Sequence, residues 1–325
     1  LLLGDFLQLP PIGTPSLAAP PDAYVNLDLE SQQGHDLWRQ IRRVVQLDFN
    51  MRTSGLLATI LDQMRHGSLD DKTWHALKAR QVEGPESHLF DATTQWIVNR
   101  HSLRAALAYT ITLRQSSAAN RTFFLVHAAD DITKPHHCDL DEPDVRRRLL
   151  SLANPRRTGD LPGILPCYIG CRYRLYSQKL CVQLGLMNGA LVELLHLYLS
   201  DHDRDFAAQH HAGDLTVLRH LPRCLVLRAV DAVWTLPDAC VGHLRPHLDD
   251  LTGVFLLHPL TAYFPYTLSS LVSVRVRRTA FPLLPANVCI TYAAQGESWP
   301  RVVLDMSMPP RTDPHTHWLC MYVQL

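Results

Sequence analysis

The sequence carries no surplus charge: 31 lysines and arginines stand against 31 aspartates and glutamates. Proteins that coat nucleic acid are basic overall, so that class is excluded, and any nucleic-acid contact must come from a local groove. No apolar run approaches the ~18 residues that a membrane span needs. Leu1-Leu2-Leu3 meets Gly4-Asp5 too soon to be a signal peptide. None of the eight cysteines forms a CxxC pair, and scattered thiols of this kind read as reduced and intracellular. His136-His137-Cys138 lacks a second ligand pair at zinc spacing, so no structural metal is expected. Glycine is scarce beside proline, 15 against 22, which predicts many loops and helices that stop abruptly. Also missing is any Gly-rich loop ending in Gly-Lys-Ser/Thr, the element that cradles nucleoside-triphosphate phosphates and Mg²⁺. No segment repeats.

What is present is ordinary for a globular chain: 46% hydrophobic and 19% charged residues, with length for about two domains. Leu37, Trp38 and Ile41 share one face of a helix predicted over 36–43. A strand follows at 44–49. The stripe Leu56, Leu57, Ile60, Leu61 and Met64 predicts a helix over 55–66, stopped by Gly67. Residues 70–80 read as a further helix that buries Trp74 and Leu77. Residues 94–98 read as a strand and 101–113 as a helix, with the polar Asn99-Arg100 between them. That strand-then-helix order marks a parallel α/β sheet. A strand is predicted at 123–128, and 129–163 reads as irregular apart from a helix near 144–152. Short β-rich runs at 172–176, 190–199, 224–230 and 271–277 then predict a small antiparallel β module. Residues 281–290 are apolar again, and 301–306 reads as a buried strand. The chain opens on a strand already ending and closes mid-strand by pattern at Tyr322-Val323-Gln324-Leu325, so both ends read as cut. The fold class is α/β, a parallel sheet interrupted by a β insertion and then completed.

Five stretches stand out, four of them for the chemistry their residues offer. Gly4-Asp5-Phe6-Leu7-Gln8-Leu9-Pro10-Pro11 leaves an apolar strand, at the end of a sheet strand where α/β proteins put ligands. Gly34-His35-Asp36-Leu37-Trp38 leads to Asn50-Met51-Arg52, and Arg52 offers a planar, permanently charged fork for phosphate oxygens. Ile97-Val98-Asn99-Arg100 ends a strand before a helix. Asn188-Gly189 is a tight-turn signal between β-rich flanks and predicts a hairpin. Thr291-Tyr292-Ala293-Ala294-Gln295-Gly296-Glu297-Ser298 sets polar side chains around Gly296, which permits close backbone approach. Alone, each reads as well as a plain loop or turn. The basic clusters, Arg156-Arg157 among them, read first as solvated faces.

In this order the stretches resemble the motor of the PIF-type (petite integration frequency), RecD-like superfamily-1 DNA helicases, over nearly the whole chain. GDFLQLPP is similar to the family's motif III almost letter for letter. The resemblance implies RecA-like lobes: 1–45 ends the first, 46–170 begins the second, 171–280 is a β-barrel-like insertion, and 281–325 is a truncated return. It implies that Gln8 senses the γ-phosphate of ATP, that Asp5 holds the loop, and that Arg52 reaches the nucleotide as a finger across the cleft. Gln295, Gly296 and Glu297 would join the nucleotide site. Asn99, Arg100, Thr291, Tyr292 and Ser298 would face DNA, with Tyr292 stacking on a base. The chain departs from the family pattern at Val98 and Ala293, where Thr and Lys are usual, and at Tyr292, where His is usual. It stops before the motif VI arginine.

The intact protein is thus expected to use ATP and Mg²⁺ through motifs upstream. It would step 5′ to 3′ along single-stranded DNA and open duplex junctions, in the nucleus or mitochondrion of a eukaryote, for repair, recombination or telomere maintenance. This chain alone is expected to bind neither ATP nor Mg²⁺ tightly and to hydrolyse no ATP. The departures favour one alternative, a decayed and catalytically dead copy that binds single-stranded DNA or serves as a scaffold.

Overall fold

The computed structural model describes residues 9, 15–43, 45, 53–82, 91, 93–132, 142–177, 180–208, 214–269, 272–310 and 312–325. They fall into two units. Leu1–Glu86, Thr291–Ser298 and Leu304–Leu325 make one, and Ser87–Ile290 with Trp299–Val303 the other. The predicted strand at 44–49, Val45 apart, and the loop at 4–11, Leu9 apart, lie outside the described residues.

In the first unit, α1 (Leu29–Arg39) begins well before the apolar pattern does. Asp28 sets the start as an N-cap: its carboxylate accepts from the Ser31 amide at 2.9 Å and from the Ser31 hydroxyl at 2.8 Å. The side chain α1 buries is His35, stacked 4.0 Å from the Tyr24 ring, while Leu37 is exposed. The predicted Leu37 face is therefore not the one this unit covers. Helix α2 (Gly55–Arg65) follows its stripe, with Ile60 and Met64 buried, and Gly67 ends it at φ 69°. Helix α3 (Asp71–Lys78) is capped by Asp70, which accepts from Thr73 N at 2.7 Å. The expectation that Trp74 is buried fails: it is exposed, with the Lys78 ammonium 5.4 Å from its ring centre. Thr73 is buried instead and donates to Gln63 Oε1 at 2.6 Å. A polar bond, not an aromatic plug, joins α3 to α2.

The second unit starts with β1 (Thr94–Val98) and α4 (His101–Ala118). Thr94, Gln95, Ile97 and Val98 are all buried, the mark of a strand covered on both faces. Ala108 and Ile111 of α4 pack on Val98. There follow β2 (Phe123–His127), β3 (Ala129–Ile132), α5 (Pro143–Leu150), β4 (Ile164–Cys167), β5 (Arg172–Leu175), β6 (Leu191–Tyr198), α6 (Asp201–Ala208) and β7 (Leu215–Val217). The unit closes with β8 (Cys224–Ala229), α7 (Asp238–Val241), β9 (Val254–Leu257), β10 (Leu260–Ser269), β11 (Val272–Ala280), β12 (Leu283–Pro285), β13 (Val288–Ile290) and β14 (Arg301–Leu304).

Among the described residues these strands form sheets in the orders β13-β1-β14, β4-β2-β7, β10-β11-β3 and β12-β5-β6-β8-β9. β1 runs parallel to β13, and β2 parallel to β7, so the α/β class and the parallel pairing stand. The five-stranded sheet is antiparallel throughout. Its core is Tyr173, Leu175, Val192, Leu194, Leu225, Leu227 and Leu283, with Phe281 packed in the same cluster. The β-barrel-like insertion is corrected to this open sheet: among the described residues no strand set closes, and β12 and β9 each pair on one side only. Asn188-Gly189 does form a turn, with Gly189 at φ 91° and its amide bonded to Leu175 O at 2.8 Å.

Strand β3 was not predicted. Ala129-Asp130-Asp131-Ile132 lacks an apolar alternation; it pairs antiparallel with β11, and its aspartates meet that strand's arginines, Asp131 on Arg277 at 2.7 Å and Asp130 on Arg278 at 2.6 Å. β14 is also less covered than expected, with Arg301 and Val302 exposed.

Back in the first unit, α8 (Thr291–Ala294) is a single turn and α9 (Pro314–Gln324) is a full helix. The strand expected at Tyr322-Val323-Gln324-Leu325 is thus corrected to a helix end. Its cause lies upstream: Asp313 accepts from Thr316 N at 2.9 Å, and Pro314 at the first helical position suits a helix start. Trp318 Nε1 donates to Met64 O at 2.8 Å and ties α9 to α2.

Candidate nucleic-acid interface

Strands β1 and β13 end in register at Val98 and Ile290. Asn99 follows one and Thr291 the other, and the carboxyl edge of such strands is where α/β sheets hold ligands. Val98 is buried, Asn99 half-buried and Arg100 exposed. Arg100 is the residue before α4, in extended conformation, and its side chain does not cap the helix. The first turn of α4 has no acidic residue. The first four amides of any helix lack partners within it and sit at the positive end of the dipole. An uncapped, acid-free start is suited to an anion.

Cations gather here from elements far apart in sequence. Arg104, one turn into α4, is buried, and its Nη2 donates to Ala153 O at 2.8 Å. That bond anchors the loop that enters the short 3-10 turn Pro155–Thr158, which carries the exposed Arg156 and Arg157. His101 lies in the field of all three. Burial first, then the charges of Arg104, Arg156 and Arg157, pushes its pKa down to about 4. The imidazole is therefore neutral at pH 7. Its Nδ1 is buried with no hydrogen-bond partner among the described residues, and an unsatisfied buried polar atom costs roughly 1–3 kcal/mol. A multi-oxygen anion would offset the guanidinium repulsion and could meet the imidazole at once. Phosphate oxygens suit this, because bonds from guanidinium to phosphate are charge-assisted.

Sequence reasoning named Asn99 and Arg100, which stand at this junction, and did not name His101 and Arg104. The available signal was the spacing His101-x-x-Arg104, which sets both on one face of the first helical turn. Arg156 and Arg157 were read as a solvated face; no local pattern could have joined them to α4.

The other predicted residues lie in the first unit or outside the described residues. Thr291 is buried, and its hydroxyl accepts from Gln324 Nε2 at 2.6 Å. Tyr292 is exposed on α8, and burial first, then the nearby Cys320, raises its pKa. Gln295, Gly296, Glu297 and Ser298 form an exposed loop, with Gly296 at φ 84° and the Glu297 amide on Ala294 O at 3.1 Å. Asp5, Gln8, Arg52, His136, His137 and Cys138 lie outside the described residues. Among the described residues no group of three His, Cys, Asp or Glu side chains could hold a metal ion. No helix there is long and apolar enough to cross a membrane.

No protein-family model matches the chain, and no curated protein does. Solved structures similar to it include the Pif1 helicase from Candida albicans, at 15% identity and a TM-score of 0.48, over 98% of this chain and 60% of that one. Bacteroides Pif1 bound to ssDNA is similar at 12% identity and a TM-score of 0.46, over 83% of this chain and 46% of that one. Bacteroides Pif1 in complex with ADP-AlF3 and ssDNA is similar at 12% identity and a TM-score of 0.45, over 84% and 47%. The chain spans 60% of the first of these and less than half of the other two.

Proposed function

We propose that the chain is the C-terminal part of an ATP-dependent, 5′-to-3′ DNA helicase motor of the PIF type, and that the β1–α4 junction holds the phosphate backbone of single-stranded DNA. The observation that carries this reading is the cationic, uncapped start of α4. It stands directly behind the strand end whose Asn99 resembles the family's backbone-facing residue. The five family-like stretches, in the family's order, support the motor around it. ATP and Mg²⁺ belong to the intact protein, with Asp5, Gln8, Arg52, Gln295, Gly296 and Glu297 as the residues this chain would bring to the nucleotide. Asn99, Arg100, Tyr292 and Ser298 would meet DNA. The buried Thr291 would act by holding α8 to Gln324.

Because the chain has no net charge, attraction to DNA must be local and salt-sensitive. Fluorescence anisotropy with a labelled deoxythymidine oligonucleotide tests this. The expected result is binding that weakens steadily as salt rises, with no DNA-stimulated phosphate release by this chain alone. Absent binding, or binding indifferent to salt, overturns the proposal.

A second reading rests on Val98 and Ala293. Val98 is buried against Ala108, Ile111 and Val288 and offers no hydroxyl, and Ala293 offers no charge. Both losses fit a decayed copy that keeps single-stranded DNA binding or a scaffold role without catalysis. Phosphate release by the full-length protein separates the two: turnover supports the motor, and its absence with retained DNA binding supports decay.

A further inference from the structure

The β10–β11 pair presents an outer face that the β1–α4 site does not use. Alternation puts Phe264, Val274 and Val276 inward, where they pack on Val145 and Leu149 of α5. The outward residues include Tyr263, Thr267, Arg275 and Arg277, all exposed. Tyr263 is the one large aromatic among them, 49% exposed. It sits directly opposite Arg277 in the antiparallel register, and the Arg275 guanidinium lies 5.0 Å from its ring centre. Arg275 and Arg277 are two residues apart on one strand, so their Cα atoms stand about 6.8 Å apart on one face. That is on the scale of the step between phosphates of an extended nucleic-acid strand.

The face is also held rigid. Arg278, pointing inward, makes two bonds to Asp130 at 2.6 and 2.7 Å, one to Leu149 O at 2.9 Å, and sits over the Phe264 ring. The strand edge is not suited to pairing with another strand, since β10 is the outer strand and carries Pro265, which has no N–H to offer. What remains is a stacking surface flanked by guanidiniums, the pairing that binds single strands without reading their sequence.

We propose that Tyr263, Arg275 and Arg277 form a stacking platform for single-stranded DNA, a second contact surface separate from the β1–α4 junction. The proposal rests on single-stranded DNA being the partner of this chain. Tyr263 stacks on a base, and Arg275 and Arg277 meet phosphates. Asp131, bonded to Arg277 at 2.7 Å, competes with phosphate for that guanidinium and so tunes the site.

The test compares a deoxythymidine oligonucleotide with an abasic strand of equal length, using the full chain and the variants Tyr263→Thr and Asp131→Asn. Thr keeps strand propensity at an exposed position and removes only the ring. Wild type is expected to prefer the base-bearing strand by roughly fivefold or more, on the scale of one stacked base. Tyr263→Thr should lose most of that preference, the remainder being the share of Tyr292, while binding the abasic strand as wild type does. Asp131→Asn should bind both strands more tightly, a gain that misfolding cannot mimic. Should wild type show no preference, or Tyr263→Thr keep it, or Asp131→Asn bind no better, the platform is overturned and the β1–α4 site stands. Should wild type bind neither strand, both proposals fall together.

Discussion

Among the described residues no acidic group stabilises the charged form of His101, and its pKa is pushed to about 4 by burial, then by Arg104, Arg156 and Arg157. The unfolded chain takes up a proton near the ordinary value of 6.5, well before the folded one. The contribution of the neutral imidazole to stability is therefore complete above that value and lost as pH falls through the window from 6.5 to about 4. A bound phosphate reverses the local sign, since an anion beside the ring favours its protonated form. We expect the His101 pKa, followed by ring-proton NMR, to rise when a deoxythymidine oligonucleotide is added. A value that stays put or falls would show that no anion enters the arginine ring. At this scale the sequence was half legible. Asn99 and Arg100 stand at a strand–helix junction that any periodicity argument finds. Arg104 shares a helical turn with His101, but Arg156 and Arg157 reach its field only because the chain after α4 folds back, and no local spacing encodes that.

Among the elements, those stabilised by their own sequence were readable and those stabilised by a distant partner were not. β1 and α2 were found with their boundaries nearly right, α2 because its apolar side chains recur at the helical period and β1 because the short apolar run Trp96-Ile97-Val98 stops at the polar Asn99-Arg100. β3 was missed because its side chains are aspartates whose partners, Arg277 and Arg278, lie in β11. α9 was misread because Tyr322-Val323-Gln324-Leu325 looks extended in isolation, whereas the helix is set by the cap at Asp313. Close packing between elements also makes one glycine indispensable. At Gly163, just before β4, an added Cβ would collide with the Leu150 carbonyl oxygen at the end of α5 and stand 2.8 Å from its carbon. Backbone on both sides cannot give way cheaply. Gly163→Ala is expected to cost about 1–3 kcal/mol of overpacking, measured as a lower midpoint in urea. An unchanged midpoint would mean that α5 does not press on this segment.

For the molecule as a whole, neutrality is the governing fact: equal numbers of acidic and basic residues leave no long-range pull on a polyanion. The α/β class was legible because strands and helices alternate in the sequence. The β-barrel-like insertion is an open sheet among the described residues, which the sequence did not show because short β-rich runs cannot reveal whether the outer strands, β9 and β12, meet. On the proposed reading, affinity for DNA would come from a few placed guanidiniums, and the number of phosphates they neutralise could be counted from the salt dependence. The most direct test is the slope of log Kd against log salt for single-stranded DNA, compared between the chain and its Arg156→Ala/Arg157→Ala double variant. Each phosphate of a single strand that is no longer neutralised lowers the slope by about 0.7. With both arginines removed, the account predicts a slope shallower by about 1.4 and weaker binding at low salt. Identical slopes for the two proteins would contradict it.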